Sequence, residues 1–75
     1  MASVSHEEIR EVERALVRLP SRTLDAFMMH RFDDLSYEQI AFRLGITQNA
    51  VEHHIAETLV AIREARERFA QTQRG

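Results

Sequence analysis

Cysteine is absent from the 75 residues, which removes disulfides and thiolate metal sites. Lysine is absent too, so all 10 basic residues are arginine. Arginine suits bidentate contacts to phosphate and carboxylate, although codon usage is the plainer source of such a bias. With only two glycines, one proline and almost no β-branched runs, a sheet is not expected. No apolar run approaches the roughly 20 residues that cross a bilayer, and no signal-peptide pattern stands at the start. A cytoplasmic protein with no membrane partner is therefore expected. Excess positive charge is also missing: the formal net charge is −2, whereas a free-standing nucleic-acid binder is usually basic.

What is present is apolar and periodic. Hydrophobic residues make up 44% of the chain, enough to exclude disorder. The length allows a single small domain over residues 1–75, with a core over about 5–70, leaning on well-formed helices or on a partner. The most informative stretch runs from Leu35 to Val51. Ser36 and Gln39 have capping-box spacing, and Leu35 with Ile40 has the spacing of a hydrophobic staple. Ile40, Ala41 and Leu44 share one helical face. Gly45 then stands where a left-handed residue ends a helix. Thr47 restarts the helix as an N-cap, with Ile46 and Val51 repeating the staple. Helices joined by so short a turn cross steeply, and Ala41 is the small residue that lets them approach. This is a helix-turn-helix.

Earlier in the chain, Ser5 with Glu8 reads as a capping box and Val4 with Ile9 as its staple. The helix that follows is expected from about His6 to Leu19, with Ile9, Val12, Leu16 and Leu19 on its apolar stripe. Pro20 ends it, and Ser21 is expected to cap a second helix from about Arg22 to Phe32. That helix has Leu24, Phe27, Met28 and Phe32 as its apolar set and Met29 off the stripe. Asp33 and Asp34 make the next turn. The last helix carries Val51, Ile55, Leu59, Ile62 and Phe69 and extends to about Gln71. The fold expected is all-α: four helices with a helix-turn-helix, winged-helix-like but without a wing.

Catalysis and metal binding have little support. His53 and His54 diverge by about 100° on a helix and cannot grip one ion together. His53 and Glu57 lack a third ligand, and His6 and His30 are isolated. No paired carboxylates or glycine-rich phosphate loop appear, so neither an enzyme nor a cofactor is expected. DNA is the better fit. The second helix of a helix-turn-helix enters the major groove by its N-terminal end, and there Thr47, Gln48, Asn49, Glu52, His53 and Ala56 point away from the core. Gln48 and Asn49 suit adenine, Glu52 suits cytosine N4, and Thr47 with the helix start suits a phosphate. No arginine or lysine lies between Leu44 and Ile62, so Arg43 and Arg63 are the best backbone contacts, with Arg22 and Arg31 behind them. Phosphate contacts supply most affinity, so binding is expected to be weak and salt-sensitive.

The order of these signals is specific. Ala15-Leu16-Val17-Arg18-Leu19-Pro20-Ser21-Arg22-Thr23-Leu24-Asp25-Ala26-Phe27, then Arg31-Phe32-Asp33-Asp34-Leu35-Ser36-Tyr37-Glu38-Gln39-Ile40-Ala41 and Leu44-Gly45-Ile46-Thr47, resembles region 4 of the extracytoplasmic-function bacterial sigma factors. Val51-Glu52-His53-His54-Ile55 with Thr58-Leu59 is similar to the iron-citrate-type subgroup. The likeness covers residues 13 to about 63. It implies recognition of double-stranded promoter DNA at a −35-type element and docking on the flap of the RNA polymerase β subunit. Anti-sigma proteins use the same surfaces. It would put Phe27, Met28, Met29 and Leu35 near protein partners.

Two departures stand out. The family's recognition helix is usually richer in lysine and arginine, and nothing here corresponds to the region that melts the −10 element. The chain is thus expected to be an excised domain or a stand-alone relative. Quorum-response regulators share the helix-turn-helix core and dimerise through a following helix, which leaves a weak homodimer as a further candidate. The Leu-Pro segment upstream favours the sigma reading. The rival function is a protein-interaction module, binding an anti-sigma protein or polymerase, that kept the fold and lost DNA.

Overall fold

The computed structural model describes residues 5–74, and over them the chain forms four helices and no strand. These are α1 (His6–Val17), α2 (Ser21–Arg31), α3 (Tyr37–Leu44) and α4 (Gln48–Arg74). The all-α helix-turn-helix architecture is as expected. α4 has 27 residues, about 40 Å at 1.5 Å per residue, and it packs against each of the other three helices. None of the described helices is long and apolar enough to cross a membrane.

The central core consists of Ala26, Ile40, Ala41, Val51 and Ile55, with Met29, Leu35, Tyr37, Leu44 and Ile46 packed around them. α2 contributes Ala26, α3 Ile40 and Ala41, and α4 Val51 and Ile55. Ala41 plays the part its size suggests and is buried at 8% exposure. The interface between α1 and the rear of α4 is also built on small residues, with Ala15 and Ala65 buried.

The apolar stripe of α2 is turned from where periodicity puts it. On α2 the buried residues are Thr23 and Ala26, while Met28 and Phe32 are exposed and Met29 packs on the core. The inward face is thus displaced by about one residue from the large apolar side chains. Ile9 on α1 and Leu59 on α4 are likewise exposed, while Ala15 on α1 and Thr58 and Ala65 on α4 are buried beside the expected Val51 and Ile55. Periodicity in large apolar residues overlooks small ones, and Thr23, Ala26, Thr58 and Ala65 are at 0–1% exposure.

Thr23 tolerates burial because its hydroxyl shares a 2.9 Å hydrogen bond with His54 Nδ1 on α4. Thr58 donates to the His54 carbonyl at 2.9 Å. Buried hydroxyls without such partners would cost stability.

The helix ends also depart in part from expectation. Ser5 Oγ accepts from the Glu8 N–H at 3.1 Å, but the Glu8 carboxylate does not complete a capping box. It accepts instead from Arg66 Nε of α4 at 2.7 Å. Val4, the other half of the expected staple, lies outside the described residues. α1 closes two residues early at Val17, and its end tightens as Leu19 N–H donates to the Leu16 carbonyl. Ser21 is the first residue of α2, not its cap; Pro20 occupies the cap position with no side-chain bond. Its carbonyl accepts from the Leu24 N–H.

Candidate nucleic-acid interface

The segment joining α2 to α4 is secured almost entirely by bonds between near neighbours. Asp34 adopts φ 59°, a left-handed conformation that aspartate visits more readily than most residues. The following Leu35 N–H donates to the Met29 carbonyl at 3.2 Å. His30 Nδ1 donates to the Leu35 carbonyl at 3.0 Å, and its ring lies 5.1 Å from that of Tyr37. His30 is therefore a clamp on this turn, a role its isolation in sequence conceals.

α3 then begins with a complete capping box. Ser36 Oγ accepts from the Gln39 N–H at 3.1 Å, and the Ser36 N–H donates to Gln39 Oε1 at 2.8 Å. Gly45 ends it at φ 66° and ψ 37°. The Ile46 N–H returns to the Ala41 carbonyl at 3.0 Å, the bond that closes a Schellman-type helix end. Thr47 Oγ1 accepts from the Ala50 N–H at 3.0 Å and its carbonyl from the Val51 N–H at 3.1 Å. Leu35, Ile40, Ile46 and Val51 all belong to the core or pack on it, so both staples are anchored.

This construction fixes which side chains of α4 face outward. Val51 and Ile55 are buried; Thr47, Gln48, Asn49, Glu52, His53 and Ala56 are all exposed. Asn49, Glu52, His53 and Ala56 line a shallow depression on that face. The two adjacent histidines diverge as helical geometry requires. His54 turns inward to Thr23, while His53 is exposed. Among the described residues no group of three His, Cys, Asp or Glu could hold a metal ion.

Arg43 and Arg63, at either side of the arginine-free span, are exposed and in no ion pair among the described residues. Arg22 and Arg31 are exposed as well. The outward face of the first α4 turns is consequently polar with a carboxylate and no fixed cation.

The residues expected at protein partners divide. Met28 is exposed and Phe27 half-buried, whereas Met29 and Leu35 pack against the core and present little free surface. Met29 is thus corrected from an off-stripe to a core-packing residue. Phe42, which no expectation above places at a surface, is 88% exposed. It lines a groove with Leu35, Glu38, Gln39 and Arg43. Its position off the Ile40–Ala41–Leu44 face was a usable signal. Val17 and Phe32 are other large apolar residues left exposed.

Compared with known families, residues 5–62 match the model described as Sigma-70, region 4. No curated protein and no solved structure matches the chain.

Proposed function

Because the chain belongs to the sigma-70 region 4 family, a class of promoter-binding domains that acts in transcription initiation and is not an enzyme family, we propose that it reads a specific −35-type element with the exposed start of α4. The observation that carries this reading is the capped, glycine-turned junction that holds Thr47, Gln48, Asn49, Glu52, His53 and Ala56 clear of the core. Gln48 and Asn49 are suited to adenine, and Arg43 and Arg63 to the flanking phosphates. The iron-citrate-type subgroup is the finer assignment, supported by Val51-Glu52-His53-His54-Ile55. RNA polymerase, through its β flap, and an anti-sigma protein are the proposed protein partners. Met28, the exposed part of Phe27 and the marginal surface of Leu35 and Met29 are the contact candidates.

A test is fluorescence anisotropy at low salt, comparing promoter-like and scrambled duplexes for the wild-type chain and for Gln48→Ala with Asn49→Ala. The expected result is preference for the promoter-like duplex, lost in the double variant while its helical circular dichroism is unchanged. Equal affinity for both duplexes, or none for either, would favour the second reading. That reading is a protein-interaction module without DNA binding, and its support is the absence of Arg or Lys between Leu44 and Ile62.

A further inference from the structure

We propose that Glu52 is a specificity-determining residue of the DNA-facing surface, a carboxylate satisfied by a cytosine N4 amino group and penalised against other base edges. The inference rests on the DNA-binding reading above. Glu52 is exposed on the second turn of α4 and shares its depression with Asn49, His53 and Ala56. Among the described residues it enters no ion pair. The contrast with Glu57 on the same helix is informative, since Glu57 Oε1 lies 4.0 Å from His54 Nδ1. No arginine or lysine between Leu44 and Ile62 neutralises Glu52 from its own helix segment.

An ionised carboxylate only accepts hydrogen bonds. The major groove offers acceptors on guanine and thymine, and its amino donors belong to cytosine N4 and adenine N6. Adenine sets the N7 acceptor beside its amino group, where the second carboxylate oxygen would meet it. Cytosine carries no such acceptor on its groove edge. Phosphates repel the same charge. An unpaired carboxylate on this face therefore weakens contact with DNA generally and is compensated where one cytosine amino group reaches it. This gives the arginine-free span a use: low general affinity makes the single matched contact decide the site. With no internal partner, the fold itself makes no demand on the Glu52 charge.

The test uses the full chain and Glu52→Ala in selection from duplexes randomised across a −35-type element at low salt, followed by anisotropy on the selected sites. The wild-type chain is expected to select cytosine at one position. It should lose about tenfold or more in affinity when that base is changed or its N4 is methylated. Glu52→Ala should treat those duplexes alike, bind non-selected DNA more tightly than wild type, and melt at the same temperature. Unaltered base preference in Glu52→Ala, or wild-type preference for guanine or thymine at the position Glu52→Ala relaxes, overturns the inference alone. Failure of both proteins to retain any duplex overturns the DNA-binding reading beneath it.

Discussion

The two halves of this small domain are held by different kinds of contact. From Leu35 to Val51, the bonds that set direction join residues three to five apart: Ser36 with Gln39, Ala41 with Ile46, Thr47 with Ala50. In α1 and α2 the decisive polar contacts span the chain, with Glu8 meeting Arg66 and Thr23 meeting His54. The Leu35–Val51 segment carries its geometry locally and presents its polar face on a frame that needs few distant partners. The α1–α2 part gains its orientation by docking on α4. Local bonds suit a surface that must hold its shape at a ligand; distant ones suit a support.

This contrast can be broken most severely at Gly45. A side chain there meets no heavy atom within 4 Å, so the cost of Gly45→Val lies in its backbone at φ +66°. We expect a loss of about 2 kcal/mol, lowering the melting temperature by about 10 °C for a domain of this size. Gly45→Asn should recover much of it, because asparagine tolerates the left-handed region. An unchanged melting temperature for Gly45→Val would contradict the turn.

The next effect compares two serine caps. Ser36→Ala removes half of a reciprocal pair and should cost about 1 kcal/mol, more than Ser5→Ala, where the return bond is missing. Urea unfolding of both variants provides the comparison, and equal losses would remove the distinction drawn between the two halves. The smallest effect is expected at Arg66. Its side chain is 59% exposed in the bridge to Glu8, so Arg66→Ala should cost no more than about 1 kcal/mol, less at high salt. A larger, salt-insensitive loss would show that α1 depends on this bridge more than its exposure allows.

The same division explains what the sequence discloses. Ser36, Gln39, Gly45 and Thr47 declare their roles because cap and turn chemistry depends on residue type and short spacing alone. The exposed positions on α4 follow once Val51 and Ile55 are assigned inward. Thr23 and His54, 31 residues apart, carry no such signal, and neither does the diversion of Glu8 from its own helix start to Arg66. Apolar periodicity also misplaces the inward face of α2, since it weights Met28 and Phe32 above Thr23 and Ala26, while on α1 it errs only at Ile9 and overlooks Ala15. At the candidate site, the exposure of the α4 residues is legible, while the split of Phe27, Met28, Met29 and Leu35 between surface and core is not. Met29 and Leu35 go to the core only when α2 and α3 are packed together, and Phe42 is left outside by the same packing.

α4 runs without interruption from the outward-facing tip to the end clasped by α1. A continuous helix tilts as a unit: about 5° of tilt displaces a point some 20 Å along it by about 2 Å. Start and tail of α4 are thus parts of one helix, so the direction in which the exposed start points is coupled to how α1 packs on the tail.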